Sequence, residues 1–420
     1  MRISILSPGT TGDVHPYIAL GAALKNQGHE VLFATNCNFA DLVKAQGLLY
    51  FELPGNPEAV LASDSGEEFL RTPSSPIELV SRFSKLFLPF INKSLIDSLP
   101  ACRSTNAIIA SSLAYYGYDI AQALNVPFFP CSLFPLTPTA EFPFPLMQSP
   151  VSLGGFANQM SYAIARQVFW QFMRDNINTW RQEYLNLPPV GIKDEPTSTM
   201  DATGVSFLYG YSPFIAPRPA DWPVRHQITG YWLLPPQSDW QPDEALRQFI
   251  SRQANIVLLQ YGTMSPREFK KIANLSRRAL ALADLRGVLL TDLPPHQHDF
   301  SDDRLHYAGT NARDWLLSQA NLAVQHCDTD TSSAIMCAGL PSVAIPIFGD
   351  QFFWARKMEA LGLVTPPLAA GKLSAELLAC LMNTALNDKN MQQRATEMKT
   401  KLHAENGVAN VVSYLTSRLT

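Results

Sequence analysis

The sequence lacks the features that several common protein classes require. No eighteen apolar residues run together in its 420 residues, so it predicts no membrane-spanning helix. The first residues, "MRISILSPGTTGD", carry one basic residue and an apolar run too short for a secretory signal peptide. We therefore expect neither a signal peptide nor a membrane span.

Positive charge and paired cysteines are also scarce. Lysine and arginine do not cluster, and the net charge is −4, so no basic face for nucleic acid is expected. The six cysteines are scattered without a CxxC pair, which argues against a disulfide framework and a zinc ribbon. Free thiols suit a reducing compartment, and we expect the chain to be cytoplasmic.

What the sequence does contain is a pattern of alternating strands and helices. The first part has an apolar run, "RISIL" (2–6), a helical pattern from Pro16 to Gln27 and a second run, "HEVLFAT" (29–35). This order predicts a parallel sheet, which "AIIAS" (107–111) and "VPFFPCS" (126–132) extend. Residues rich in proline, serine and acid, 54–78, predict an exposed loop, and the aromatic-rich residues 160–185 predict a helix.

A second series of strands and helices begins at "NIVLLQYGTM" (255–264) and continues through "ANLAVQH" (320–326) and "PSVAIPI" (341–347). With 46% hydrophobic residues, the chain is long enough for two cores. We expect an α/β fold of two Rossmann-like, doubly wound parallel-sheet domains facing each other across a cleft. The predicted parts are an N-terminal domain (1–210), a linker rich in proline and tryptophan (211–240), a C-terminal domain (241–400) and a helix that packs back on the N-terminal domain (401–420).

Four stretches, in this order, resemble glycosyltransferases of the GT-B fold, of the family-one type that acts on sterols, antibiotics and rhamnolipids. They are "GTTGDVHPYIALGAALKNQGHEV" (9–31), "PRPADWPVRHQITGYW" (217–232), "YGTM" (261–264) and the long stretch 314–362 that contains "QHCDTDTSSA" and "FGDQFFW". The resemblance covers nearly the whole chain. It implies two domains, an acceptor site in the first and a nucleotide-sugar site in the second.

The resemblance places the catalytic base at Asp13. An acceptor hydroxyl must lose its proton as it attacks the anomeric carbon, so a base belongs beside it. Asp13 follows the first predicted strand, at the sheet edge where ligands of such folds bind. Asp13 would also serve as a cap for the helix that starts near Pro16, and the two roles are compatible. His15 is a second polar group of the same loop.

The resemblance also implies residues that hold the donor. His326, Thr331 and Ser332 match positions that bind the diphosphate, and Thr263 and Met264 match a loop touching the same group. Hydrogen-bonding groups that converge there would stabilise the charge of the leaving nucleotide diphosphate.

Three further positions concern the rest of the donor. Asp350 and Gln351 match the pair that binds the sugar hydroxyls. Trp315 lies in a stretch that resembles the nucleobase-binding segment, although it could equally be a core tryptophan.

The loop at residues 327–330 departs from the family pattern. Relatives carry glycine at some of these positions, whereas this chain has Cys327, Asp328, Thr329 and Asp330. At about 5 Å and an effective dielectric constant of about 20, one carboxylate repels one phosphate charge by roughly 3 kcal/mol. The attraction between a phosphate charge and a helix N-terminus contributes only about 0.3–2 kcal/mol.

Three arrangements would resolve this conflict. The acids could point to solvent, a divalent cation could bridge them to the phosphate, or Asp330 could cap the following helix and occupy the anion site itself. The family uses no metal. The histidines of "PHQH" (295–298) are interpreted as part of a surface loop rather than a metal site.

The resemblance thus implies an inverting glycosyltransferase that uses a UDP- or dTDP-sugar as co-substrate and needs no cofactor. The apolar segment 126–146, rich in phenylalanine and proline, favours a lipophilic small-molecule acceptor and leaves peripheral membrane contact open. The alternative is a glycosyltransferase-like protein with weak or lost nucleotide-sugar binding, which acts as an auxiliary binding protein or on another ligand.

Overall fold

The structure is a computed structural model that describes residues 1–70, 76–147, 152–235, 240–252, 255–293 and 302–419. The chain divides into two compact units. The first unit comprises Met1–Val60, Thr72–Leu234 and Asn406–Thr420, and the second comprises Leu61–Arg71 and Pro235–Glu405. The short stretch Leu61–Arg71 therefore leaves the first unit and packs with the second.

The first unit is built on a parallel sheet of seven strands. The strands are β1 (Arg2–Leu6), β2 (Glu30–Asn36), β3 (Leu49–Leu53), β4 (Ala107–Ala110), β5 (Phe128–Ser132), β6 (Leu208–Tyr209) and β7 (Gln227–Ile228). Their order across the sheet is β3-β2-β1-β4-β5-β6-β7. The order reverses between β1 and β4, which is the position where ligands bind in doubly wound sheets.

The second unit has a parallel sheet of five strands. They are β8 (Ile256–Gln260), β9 (Arg286–Leu290), β10 (Leu305–Ala308), β11 (Leu322–Gln325) and β12 (Ser342–Ala344). Their order is β10-β9-β8-β11-β12, so the reversal lies between β8 and β11. Strands β8 and β11 are almost wholly buried, as expected for parallel strands covered on both faces.

Helices surround both sheets. They are α1 (Thr11–Asn26), α2 (Ala40–Ala45), α3 (Pro57–Leu61), α4 (Asp64–Leu70), α5 (Pro76–Cys102), α6 (Gly117–Leu124), α7 (Gly155–Tyr184), α8 (Pro196–Ala202), α9 (Glu244–Ser251), α10 (Pro266–Ala283), α11 (Arg313–Gln319), α12 (Thr329–Ala338), α13 (Gln351–Ala360), α14 (Ala375–Asn387), α15 (Lys389–His403) and α16 (Gly407–Leu419). Among the described residues, no helix combines the length and the apolar character that a bilayer crossing requires.

The last helix belongs to the first unit. Val411, Val412 and Leu415 recur at helical spacing on α16, and all three lie in the hydrophobic cluster that also contains Val14 and Tyr17 of α1. This apolar stripe holds the end of the chain against the first sheet, whereas residues up to Glu405 lie in the second unit.

Residues 211–234, within the stretch expected to link the domains, are part of the first unit. Trp232 is 2% exposed and packs edge-on against Tyr17, with 5.4 Å between the ring centroids. The indole Nε1 of Trp232 donates to Thr229 Oγ1 at 2.9 Å. Prolines stiffen this stretch, but its tryptophans anchor it in the core.

The expectation of an exposed loop at residues 54–78 is wrong for the described part of that range, and residues 71–75 lie outside the described residues. Helices α3 and α4 and the start of α5 lie there, and Phe69 on α4 is 5% exposed. The helix predicted from Pro16 begins earlier, at Thr11. Pro16 is the sixth residue of α1 and lies inside the helix, where it lacks the amide hydrogen of one backbone hydrogen bond without ending the helix.

The aromatic and proline-rich stretch 126–146 contributes mainly to the core. Phe129, Phe142 and Phe144 are 7%, 8% and 6% exposed. Phe144 lies edge-on to Tyr162 of α7, with 5.4 Å between their ring centroids. These rings are therefore used largely for packing within the first unit.

Candidate active site

The loop between β1 and α1 brings Asp13 to the carboxyl edge of the first sheet. Gly9 has φ +146° and its amide donates to Asn36 Oδ1 at 3.0 Å. A Cβ atom on Gly9 would lie 2.5 Å from the Cβ of Asp13. Only glycine therefore fits where the loop turns back over the Asp13 side chain.

The Asp13 carboxylate closes the first turn of α1. Its Oδ2 accepts from both the amide and the hydroxyl of Thr10, each at 2.9 Å, which forms a capping box. The helix-cap role that the sequence left open is therefore present, three residues before Pro16. Half-buried, hydrogen-bonded and at a helix N-terminus, the carboxylate is held in a fixed orientation.

His15 lies two residues further along α1, and its half-buried ring stands edge-on to Phe39, with 6.1 Å between the centroids. Residues two apart on a helix do not face each other, so the fold does not direct His15 toward the Asp13 carboxylate.

A second carboxylate at the start of α1 was missed by sequence reasoning. Oε1 of Glu58 accepts from the amide and the hydroxyl of Thr11 at 2.8 and 2.5 Å, and Oε2 accepts from Asn38 Nδ2 at 3.1 Å. Glu58 is 47 positions from Thr11 and lies on α3, within the stretch predicted as a loop. No local pattern in the sequence signals this contact.

The second group of predicted residues lies at the carboxyl edge of the five-stranded sheet. Residues 261–265 follow β8, residues 326–328 follow β11, and residues 345–350 follow β12. Because these three strands are parallel neighbours, their following loops share one edge of the sheet.

Asp328 is the N-cap of α12. Its Oδ1 accepts from the Thr331 amide at 2.7 Å, and its Oδ2 lies 2.7 Å from Nε2 of His326. One of the three arrangements considered from the sequence placed this cap at Asp330; the structure corrects it to Asp328. Asp330 instead forms an ion pair with Arg313, and only 11% of its side chain is exposed. Neither acid therefore points freely to solvent.

Each member of the His326–Asp328 pair shifts the titration of the other. Burial raises the pKa of Asp328, but the charge and hydrogen bond of His326 and the bonds from Thr331 outweigh it and lower the pKa to about 2. Burial lowers the pKa of His326, but Asp328 outweighs it and raises the pKa above its ordinary value. The pair is thus stabilised as imidazolium and carboxylate.

The other groups expected at the diphosphate also have partners inside the protein. His326 places Nδ1 3.2 Å from the Gln260 carbonyl oxygen, and Gln260 Nε2 donates to Thr331 Oγ1 at 3.1 Å. Ser332 Oγ donates to Gln325 Oε1 at 2.8 Å. The structure brings these residues together, but Asp328 occupies the position at the α12 N-terminus that an anion would take.

The Thr263–Met264 loop reaches the same place through a glycine. Gly262 has φ +76°, and a Cβ on it would lie 3.1 Å from the ring of His326. Thr263 and Met264 are both half-buried beside this turn. The loop after β8 therefore passes beside His326 at Gly262.

Asp350 and Gln351 are both oriented by hydrogen bonds near the start of α13. Oδ2 of Asp350 accepts from the Trp354 indole Nε1 at 3.0 Å. Oε1 of Gln351 accepts from the amides of Ile347 and Phe348 at 2.8 and 3.0 Å. The fold thus fixes the predicted sugar-binding pair.

Trp315 on α11 is half-buried and lies beside Trp240, with 5.9 Å between their ring centroids. It packs at the margin of the hydrophobic cluster under α11. Of its two interpretations, the packing role is visible in the structure.

No group of three or more histidine, cysteine or acidic side chains suited to a metal ion occurs in the part of the chain that the structure describes. The histidines of residues 295–298 lie outside the described residues.

Both units carry polar loops at the carboxyl edge of a parallel sheet. Residues 3–143 match the glycosyltransferase family 28 N-terminal domain. Among solved structures, the chain is similar to the glycotransferase of kitacinnamycin (TM-score 0.68, 17% identity, covering 100% of this chain and 99% of that one). It is also similar to the calicheamicin glycosyltransferase (TM-score 0.63, 16% identity, covering 100% and 98%). The fold is that of the GT-B glycosyltransferases.

Curated relatives narrow the resemblance. The chain is 31% identical over 440 residues to the sterol 3-beta-glucosyltransferase of Candida albicans and 30% identical over 432 residues to that of Saccharomyces cerevisiae. Each alignment covers 100% of this chain but only 28% and 35% of the relative, so the chain spans about a third of their length or less. The predicted resemblance to glycosyltransferases of this fold is confirmed.

Proposed function

We propose that the chain is an inverting glycosyltransferase that moves a sugar from a UDP- or dTDP-sugar to the hydroxyl of a lipophilic acceptor, with a sterol as the foremost candidate. The observation that carries this proposal is the 31% identity to a sterol 3-beta-glucosyltransferase over the whole chain. Cytoplasmic location and peripheral membrane contact remain predictions.

The acceptor side of the proposed reaction uses Asp13. An ionised carboxylate takes the proton of the attacking hydroxyl as the new glycosidic bond forms and the bond to the nucleotide diphosphate breaks. The two hydrogen bonds from Thr10 fix the orientation of the Asp13 carboxylate at the start of α1. A base held in this way needs no reorganisation when the acceptor arrives.

Binding of the nucleotide sugar requires that its diphosphate replace the Asp328 carboxylate at the start of α12. The amide of Thr331 and the imidazolium of His326 now bind the Asp328 carboxylate. When the Asp328 side chain turns out, the same two groups are available to the diphosphate, and the anion replaces the carboxylate rather than being added beside it. Asp350 and Gln351, fixed by Trp354 and the 347–348 amides, then orient the sugar hydroxyls.

A second candidate function is favoured by the Asp328 cap itself. If the carboxylate stays in place, roughly 3 kcal/mol of repulsion opposes each nearby phosphate charge. A chain with that arrangement would bind nucleotide sugars weakly or not at all. It would then serve as an auxiliary binding protein for a lipophilic ligand.

The test combines binding and turnover. Calorimetry with UDP-glucose and dTDP-glucose, with and without magnesium, is followed by a transfer assay with a sterol acceptor and by the same assays on Asp13→Asn. Micromolar donor binding without metal, and transfer that Asp13→Asn abolishes, would support the glycosyltransferase. Absence of donor binding in the wild type, regained in Asp328→Gly, would favour the binding protein.

A further inference from the structure

Helix α4 belongs to the second unit, although the chain before and after it belongs to the first. Residues on both sides of Leu61–Arg71 belong to the first unit, yet this stretch packs with the second. Two of its side chains, Glu67 and Phe69, contact loops that the sequence assigned to the donor.

Glu67 contacts the loop that follows β8. Its Oε2 accepts a hydrogen bond of 2.9 Å from the hydroxyl of Ser265. The same hydroxyl accepts from the Glu268 amide at 3.1 Å as the N-cap of α10. Both the donor and the acceptor capacity of Ser265 are therefore used, which fixes the residue directly after Met264.

Phe69 contacts the loop that follows β12. The ring is 5% exposed, and its centroid lies 4.8 Å from that of Phe348. The Phe348 amide in turn donates to the Gln351 side chain at 3.0 Å. Phe69 thus packs on the residue that holds one member of the predicted sugar-binding pair.

We propose that α4 acts as a brace for the donor loops, with Glu67 and Phe69 as positioning residues for the nucleotide sugar. Glu67 fixes the Thr263–Met264 loop through Ser265, and Phe69 fixes Gln351 through Phe348. This inference rests on the proposed function, since it names residues that set donor affinity without touching the donor.

The α4 contacts do not involve the groups that bind Asp13, whose carboxylate accepts from the amide and hydroxyl of Thr10. Loss of the α4 contacts is therefore expected to change the donor KM more than kcat, because Asp13 keeps its own hydrogen bonds.

The variants separate the contacts from general destabilisation. Glu67→Ala removes the acceptor for Ser265, whereas Glu67→Gln keeps an oxygen that accepts the same bond. Phe69→Ala removes the ring, whereas Phe69→Leu keeps an apolar group. Glu68→Ala is the matched control, because Glu68 is an exposed acid on the same helix. Circular dichroism and the melting temperature confirm that each variant folds.

Two measurements test the brace. Hydrogen exchange without donor reports the order of residues 262–266 and 347–351. UDP-glucose titration and steady-state kinetics report donor affinity. We expect about tenfold faster exchange and about tenfold weaker donor binding in Glu67→Ala and Phe69→Ala. A tenfold change in either equilibrium corresponds to about 1.4 kcal/mol of free energy. The conservative variants and Glu68→Ala should behave like the wild type.

The results distinguish the two proposals. If wild type binds UDP-glucose but the alanine variants exchange and bind as the wild type does, the brace is refuted and the proposed function stands. If the wild type binds no nucleotide sugar, the role in donor positioning fails with the proposed function.

Discussion

Nε2 of His326 lies 2.7 Å from Oδ2 of Asp328, and the same carboxylate caps α12 through the Thr331 amide. A phosphate at the start of this helix would need the same two groups. The protein's own side chain would therefore compete with any phosphate for this position.

Replacing Asp328 by asparagine is expected to strengthen donor binding. Asparagine caps a helix about as well as aspartate, so α12 should keep its start. Loss of the charge removes a repulsion of roughly 3 kcal/mol at full effect, and a tenfold or greater drop in the Kd for UDP-glucose is expected. Calorimetry measures it, with Asp330→Asn as a comparison that leaves the cap intact. Unchanged or weaker binding in Asp328→Asn would contradict the competition.

The His326–Asp328 pair is also expected to make stability depend on pH. The pKa of His326 is raised above 6.5, so its stabilisation is complete below about pH 6.5 and is lost as pH rises through the folded-state value. The pKa of Asp328 is lowered to about 2, so its contribution is present above about pH 4 and lost only below it.

Melting temperatures of the wild type and Asp328→Asn, compared from pH 5.5 to 8.5, test this dependence. The difference between the two proteins should shrink as pH rises, and the titration of the His326 ring in NMR spectra should move downward in the variant. Parallel melting curves across the whole range would show that the pair is not charged.

Asp13→Asn is expected to reduce turnover by about a hundredfold or more, because the amide cannot take the proton of the acceptor. Its oxygen still accepts from Thr10, so the capping box and the fold should persist. The donor Kd should stay within about twofold, since α12 and its partners are untouched. Steady-state kinetics with a sterol acceptor measure the effect, and Asp41→Asn, an exposed acid on α2, serves as the control. Full activity in Asp13→Asn would remove the proposed base.

Trp354→Phe tests whether the Asp350 orientation matters for the sugar. The change removes the indole donor that holds Oδ2 of Asp350 at 3.0 Å and costs about 0.5–1.5 kcal/mol for one hydrogen bond. We expect a several-fold higher KM for the nucleotide sugar and a smaller change in kcat.

Trp180→Phe provides a matched control for that experiment. Trp180 is 3% exposed in the first unit, and its Nε1 has no hydrogen-bond partner among the described residues. The Trp180→Phe variant should therefore have the same donor KM as the wild type. Equal KM values in both variants would show that Trp354 serves packing alone.

The alternation of apolar runs and helical patterns was sufficient to predict two parallel-sheet units, because buried parallel strands appear as short β-branched or apolar runs between helices. The positions of Asp13, His326 and Asp350 at carboxyl edges followed from the same order. These features depend on residues that are close in the sequence or that recur at a fixed spacing, so the sequence alone is sufficient to predict them.

The sequence by itself determined the class of fold and the strand-end positions of Asp13, His326 and Asp350. Tertiary structure alone decided that Asp328 caps α12 while Asp330 pairs with Arg313, that Glu58 binds the start of α1, and that α4 packs on Ser265 and Phe348. The physical reason is distance along the chain. Caps and ion pairs depend on where a side chain points, and most of these partners become neighbours only when the sheets form.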